Sequence, residues 1–199
     1  VVPTGNFLFR KNDGVTVSHT WTQSNTTLWD FRGGWQRFRE PNVRQHEGVF
    51  DPASLGFPPA TLAQMGGAQY FPGVTINTIR GIGDNLGGNT VHTIYSFQPT
   101  YTKLSGDHSI RAGYDLRNYR EFGENPGRQA GEFTNSNGGA FTRQASNSAG
   151  QNFQDVATFR LGYPTGGSIE INGVRDNRQW YHAIFVQHDW KITNKLTLN

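Results

Sequence analysis

The chain of 199 residues contains no cysteine. That excludes a disulfide framework, a thiolate zinc site and a cysteine nucleophile. Hydrophobic residues are scarce at 34%, against roughly 45–50% in soluble domains when glycine is counted. No run approaches the roughly 18 apolar residues that a membrane helix needs, which excludes a helical membrane protein but not a stranded one. The first ten residues lack the basic start and apolar centre of a secretory signal; either it has been removed or the chain begins inside a longer protein. No block of one charge sign exists. Eighteen basic and 15 acidic residues are interspersed, for a net charge of +3. A pI near 9.3 is therefore weak ground for nucleic-acid binding, which needs clustering.

Aromatics make up 13% of the chain and glycine contributes 25 residues, while mean hydropathy is −0.63. A polar chain rich in aromatics and glycine suits a transmembrane β-barrel, in which half of each strand faces water and aromatics gather at the interfaces.

Period-two alternation predicts five strands, over residues 15–23, 28–39, 90–104, 108–122 and 180–192, with the stub of a sixth at 196–199. In the second, Trp29, Phe31, Gly33 and Trp35 alternate with Asp30, Arg32, Gly34 and Gln36. In the fifth, Trp180, Ile184, Val186, Trp190 and Ile192 share one face, and Gln179, Gln187, Asp189 and Lys191 share the other with Tyr181, Ala183 and Phe185. Pro99 cannot donate to a ladder and predicts an irregular point in the third strand. Residues 24–27, 105–107 and 193–195 read as tight turns. Residues 40–89 and 123–179 read as long loops. Within them Pro58-Pro59 opens a helical turn over 60–65, residues 155–161 form another, and 169–172 a small hairpin. Strands thus alternate between short turns and connections of about fifty residues, the asymmetry of an outer-membrane barrel with short periplasmic turns and long extracellular loops. Thirteen to fifteen residues at ~3.3 Å each, tilted about 45°, rise roughly 30–35 Å, enough to cross the apolar band.

The run Phe185-Val186-Gln187-His188-Asp189-Trp190-Lys191-Ile192-Thr193, followed by Lys195-Leu196-Thr197-Leu198-Asn199, resembles the barrel of TonB-dependent outer-membrane receptors, most of all their Oar-like branch. Gly106-Asp107-His108-Ser109-Ile110-Arg111-Ala112-Gly113-Tyr114 resembles a hairpin entry of the same barrels. Phe153 with Ala157-Thr158-Phe159-Arg160-Leu161-Gly162-Tyr163-Pro164 resembles one of their loop elements, and Phe50-Asp51-Pro52 with Leu55-Gly56-Phe57-Pro58 is a weaker echo. The resemblance covers most of the chain. It implies an all-β, antiparallel, up-and-down transmembrane barrel segment in the outer membrane of a Gram-negative-type cell, moving a bulky substrate. It further implies outer-membrane lipid, the rest of the barrel, a plug and a TonB energy-coupling protein as partners. The family's plug domain and coupling box are not found, nor its twenty-two strands, so the expectation is an internal part of the wall.

On this reading Trp21, Trp29, Phe31, Trp35, Tyr95, Phe97, Tyr101, Tyr114, Trp180 and Trp190 are candidates for the lipid-facing band and its girdles, with Tyr181 counted among the same aromatics. Asp30, Arg32, Arg111, Asp115, Arg117, Gln187 and Asp189 are candidates for the lumen. The bland alternative makes the aromatics the buried face of a secreted, soluble β-sandwich that binds carbohydrate. A complete eight-stranded barrel needs more strands than are found.

No enzyme activity, cofactor, metal or nucleic-acid partner is expected. His182 and His188 share a face but lie about 20 Å apart by strand rise, and His19, His46, His92 and His108 show no ligand spacing. Glu121, Glu124 and Glu132 lack the fixed separation of a glycosidase pair. Residues 81–88, glycine-rich, lack the spacing and the βαβ frame of a phosphate loop. Asp13, Asp84 and Asn85 lack the pattern of a calcium loop.

Overall fold

The computed structural model describes residues 5–83, 87–137 and 153–199. Asp84 and Asn85 lie outside them. The described chain divides into two compact units, one of Arg10–Glu40, Thr90–Gly123 and Arg175–Asn199, the other of Val1–Phe9, Pro41–Asn89 and Glu124–Val174.

The first unit is a sheet of long strands. β1 (Asn6–Leu8), β2 (Lys11–Ser24) and β3 (Thr27–Arg44) open the chain. After β4 (Gly73–Ile76) come β5 (Gly88–Ser105), β6 (His108–Glu124), and, beyond β7 (Glu132–Asn135) and β8 (Gly166–Ser168), β9 (Arg175–Thr193) and β10 (Leu196–Leu198). The ladder runs β3-β5-β6-β9-β10, with β2 alongside β3. β2 pairs antiparallel with β3, β6 with β9, and β9 with β10. The five predicted strands are all present, and each is longer than the alternation suggests. Their turns shrink to two residues, at 25–26, 106–107 and 194–195.

Proline acts at a different place from the one expected. β5 runs unbroken through Pro99. The break falls between β1 and β2, which hold one register against β3: Leu8 lies opposite Asn42 and Lys11 opposite Arg39. Phe9 N–H donates to the Pro41 carbonyl at 3.1 Å, and Pro41 has no N–H to return.

The second unit corrects the reading of residues 40–89 and 123–179 as loops. β4 and β7 pair in parallel, Val74 opposite Phe133 and Ile76 opposite Asn135, and β7 pairs antiparallel with β8, Phe133 opposite Gly167. The two helical turns are present as α1 (Pro59–Gln64) and α2 (Gln154–Arg160). The hairpin expected at 169–172 is not: those residues carry no strand, and the local strand is β8, which seeks β7 rather than a neighbour in sequence. The glycine-rich 81–83 stretch has a packing role. Ile82 exchanges backbone hydrogen bonds with Val74 at 2.7 and 2.9 Å. Gly83 has φ +85°, and a Cβ there would lie 2.1 Å from the Pro72 carbonyl oxygen.

This unit holds every buried hydrophobic side chain among the described residues: Met65, Ala68, Tyr70, Ile76 and Ala130. Five are too few to hold it alone, and polar contacts do the rest. The buried Arg44 guanidinium stacks 3.9 Å from the Tyr70 ring centroid and pairs with Glu47 at 3.4 Å. Tyr70 Oη accepts the Ala130 N–H at 3.0 Å, joining the two long connections.

Asp155 is the hub of a second polar cluster. It is fully buried, as is Thr158. Its carboxylate accepts the Thr78 N–H at 2.5 Å and the Val156 N–H at 2.9 Å. Thr158 Oγ1 donates to the Asp155 carbonyl at 2.9 Å, and the Asp155 N–H donates to Asn137 Oδ1 at 3.0 Å. Burial works to raise the carboxyl pKa, but the Thr78 and Val156 hydrogen bonds prevail and hold it below the ordinary value.

Two outcomes follow for Asp155. Asp155→Ala leaves two buried N–H donors unpaired, a loss of about 2–4 kcal/mol, and should raise hydrogen exchange over residues 73–78 and 153–160 at neutral pH. Because the folded pKa lies below the unfolded one, the stabilisation is complete above about pH 4 and is lost as pH falls through the folded value. The difference in exchange between wild type and Asp155→Ala should therefore shrink on acidification; equal protection at pH 7 would show that the carboxylate holds nothing.

Candidate functional site

The site is the two faces of the long sheet. Cross-strand register decides which side chains share a face, because directly opposed residues project to the same side. On β2 and β3, Val15 opposes Trp35, Val17 opposes Gly33, His19 opposes Phe31 and Trp21 opposes Trp29. The Trp29 ring lies 4.7 Å from Tyr101, which carries this face onto β5. The Arg120 guanidinium lies 5.3 Å from the Tyr95 ring, which carries it onto β6. There Tyr114 opposes Ile184, Ala112 opposes Val186, Asn118 opposes Trp180 and His108 opposes Trp190. Tyr95, Phe97, Leu116 and Trp180 line a shallow depression on the same side. All five tryptophans of the chain thus share one face.

That face is not covered. Ile184 is 79% exposed, Val186 71%, Val17 67% and Trp180 60%. A soluble sandwich would bury these residues under a second sheet. No such layer exists among the described residues.

The opposite face is polar and concave. Ser18, Asp30, Arg32, Gln98, Thr100, Arg111, Asp115, Ala183 and Phe185 line one cavity of about 490 Å³ that spans five strands, and Phe31 and Tyr114, which register assigns to the aromatic face, also border it. Arg117 grips Asp115 with two hydrogen bonds of 2.9 and 2.6 Å. Both side chains are part-exposed, so the pair is worth about 1 kcal/mol or less. Its effect is to fix where the charges sit. Thr20 donates to Asp30 at 2.6 Å and Gln187 to Asp189 at 3.2 Å. Arg111 lies 5.9 Å from the Phe185 ring and Arg117 5.7 Å from the Tyr181 ring. Tyr181 therefore belongs with the charged face rather than with the aromatic band. Gly113 lies opposite Phe185, whose ring occupies the space a Cβ would need, 2.3 Å from it.

The structure separates some candidates and joins others. Glu121 is held by Arg175 at 2.8 Å. Glu132 is held by Arg128 and by Thr75. The histidines hold a surprise: register brings His108 Nδ1 to 2.9 Å from His188 Nε2, the His108 ring stacking with both His188 and Trp190, and places His182 against the Tyr114 hydroxyl. Sequence spacing gave no sign of these pairs. The pairs follow from the register of β6 against β9, which joins strands about fifty residues apart in sequence. Among the described residues no group of three or more His, Asp or Glu side chains is placed to hold a metal ion.

Two measurements test these faces. In bilayers of brominated lipid most of the tryptophan fluorescence should be quenched, and aqueous iodide should have little effect; the reverse pattern would put the aromatic face in water. Gly113→Val should lower the yield of folded protein through overpacking of about 1–3 kcal/mol, and Phe185→Ala in the same chain should restore it. Failure of that rescue would remove the ring as the cause.

A family model for an outer membrane beta barrel domain matches residues 3–199. Neither the curated proteins nor the solved structures give a match. The antiparallel sheet, its uncovered aromatic face and this match over nearly the whole length agree, and they set aside the soluble sandwich: the chain belongs to the outer membrane beta barrel domain family and forms wall of a barrel in the outer membrane.

Proposed function

We propose that this wall is part of a TonB-dependent, Oar-like outer-membrane receptor that moves a bulky substrate without covalent chemistry. The observation that carries this reading is the combination of a continuous charged face across five strands with long connections that fold into an ordered unit. A wall that served only as an anchor would need neither. The motifs in β6, α2 and β9 that resemble this receptor branch support the same reading.

In this assignment the face bearing the five tryptophans meets lipid, with Trp190 near the two-residue turns as a girdle residue. Asp30, Arg32, Arg111, Asp115, Arg117, Gln187 and Asp189 face the lumen, where they meet a plug or line the passage. The two-residue turns lie on the periplasmic side and the folded connections outside the cell, the arrangement general to outer-membrane barrels. Further strands would complete the wall, because an open edge in hydrocarbon leaves backbone groups unpaired at several kcal/mol each.

The reading predicts that the coding sequence flanking this stretch supplies more strands, an upstream plug and a coupling segment; flanks without a plug would sink it. It also predicts that the purified 199-residue chain gives no stable single-channel conductance in a planar bilayer. Steady, uniform conductance steps from this chain alone would mean that it closes a pore unaided.

A further inference from the structure

The unit formed by the long connections contains a second concavity, distinct from the charged face of the sheet. It measures about 420 Å³, within the range of pockets that take small organic ligands. Its walls come from both connections: Leu55, Phe57, Phe71, Pro72, Val74 and Ile82 from the first, Phe133, Asn135, Phe159, Gly162 and Pro164 from the second. Four phenylalanines contribute, and among the described residues of the lining none is charged. Phe57 and Phe133 stack with centroids 5.2 Å apart and planes 17° from parallel. Leu55 and Phe159 stand at the open side, 44% and 38% exposed.

The walls are held before any ligand arrives. Val74 is fixed on both sides, by Ile82 through two backbone hydrogen bonds and by Phe133 through the β4–β7 ladder. Phe133 is also laddered to β8. The segment carrying Gly162 and Pro164 leaves α2 through hydrogen bonds from Gly162 N–H to Phe159 and from Tyr163 N–H to Thr158, both 3.0 Å. A rigid apolar pocket avoids the ordering cost that weakens binding by mobile loops.

One polar group is buried in this lining. Asn135 is 2% exposed, and its side-chain contacts, from Thr158 Oγ1 and to the Thr75 carbonyl, are both 3.4 Å. Those are long for hydrogen bonds, so its amide retains capacity for a polar atom brought into the pocket.

We propose that this pocket binds an uncharged aromatic small molecule, its rings against the phenylalanines and one polar atom at Asn135. An ionised ligand would lose its hydration here with no counter-charge among the described residues of the lining to replace it. The binding claim stands on the pocket alone; that binding serves as first capture of a transported substrate rests on the receptor reading above.

Benzophenone, an uncharged two-ring photoreactive ketone, is a direct probe. The whole protein in outer-membrane vesicles is irradiated with it, and labelled peptides are mapped by mass spectrometry. Labelling should concentrate on residues 55–57, 71–74, 133 and 159–164. Leu55→Arg, at an exposed position of the mouth, should cut it about tenfold or more by placing an unpaired charge beside the ring. Val49→Arg, in the same unit, 79% exposed and outside the lining, should leave it unchanged. Labelling spread over lipid-facing strand residues without preference for the pocket, or labelling unaltered by Leu55→Arg, would overturn the proposal. Pocket labelling in a protein whose flanking sequence lacks a plug would retain the pocket and remove the receptor reading.

Discussion

Backbone hydrogen bonding is the constraint on which this structure rests. In hydrocarbon no water is at hand to take up an unused N–H or C=O, so a membrane wall must satisfy these groups within its own ladder. That requirement explains the long uninterrupted strands, the antiparallel order and the two-residue turns, which lose the least ladder between neighbours. It also gives Pro41 its meaning. A residue that cannot donate leaves a hole in the ladder, and the strand opposite it lapses at Phe9 and Arg10.

With the backbone satisfied, side chains are free to divide by face. The sheet buries almost nothing: among the described residues every buried hydrophobic one belongs to the other unit. A layer that leaves Ile184, Val186, Val17 and Trp180 60–79% exposed has no core of its own to stabilise it, as suits a barrel wall. The connections follow opposite rules. They have a small apolar core, and their geometry is set by a stacked arginine, a buried aspartate and short strands from distant parts of the sequence. One chain thus contains two kinds of folding, one suited to hydrocarbon and the other to water.

This division also sets what could be read from the sequence. The wall was legible because period-two alternation is local: Trp29-Asp30-Phe31-Arg32 declares both faces within four residues. The two helical turns were legible, the first from Pro58-Pro59 and the second as residues 155–161. The three-stranded sheet was not. Gly73–Ile76 and Glu132–Asn135 are four residues each and lie more than fifty residues apart, so neither carries a pattern long enough to read and their pairing has no local signal. Asn172-Gly173 looked like a turn with strands on both sides, whereas the strand that forms ends at Ser168. The burial of Asp155 had no local signal either, because its partner Thr78 lies in the other connection. The contact between His108 and His188 needed the register of β6 against β9, which fixes neighbours that sequence distance conceals. The alternation assigned Tyr181 to the charged side, and its aromatic character alone pulled it into the other set.

The two-residue turns have a further consequence for how such a chain can change over generations. Inserting one residue at 25–26, 106–107 or 194–195 would slide a strand by one position and turn every side chain on it to the wrong face. Deletions there would do the same. Length can vary more freely in the long connections, outside the short paired strands β4, β7 and β8. The gene is rigid at its tight turns and open to growth in its long connections, so novelty in this protein is confined to the segments that already fold by themselves.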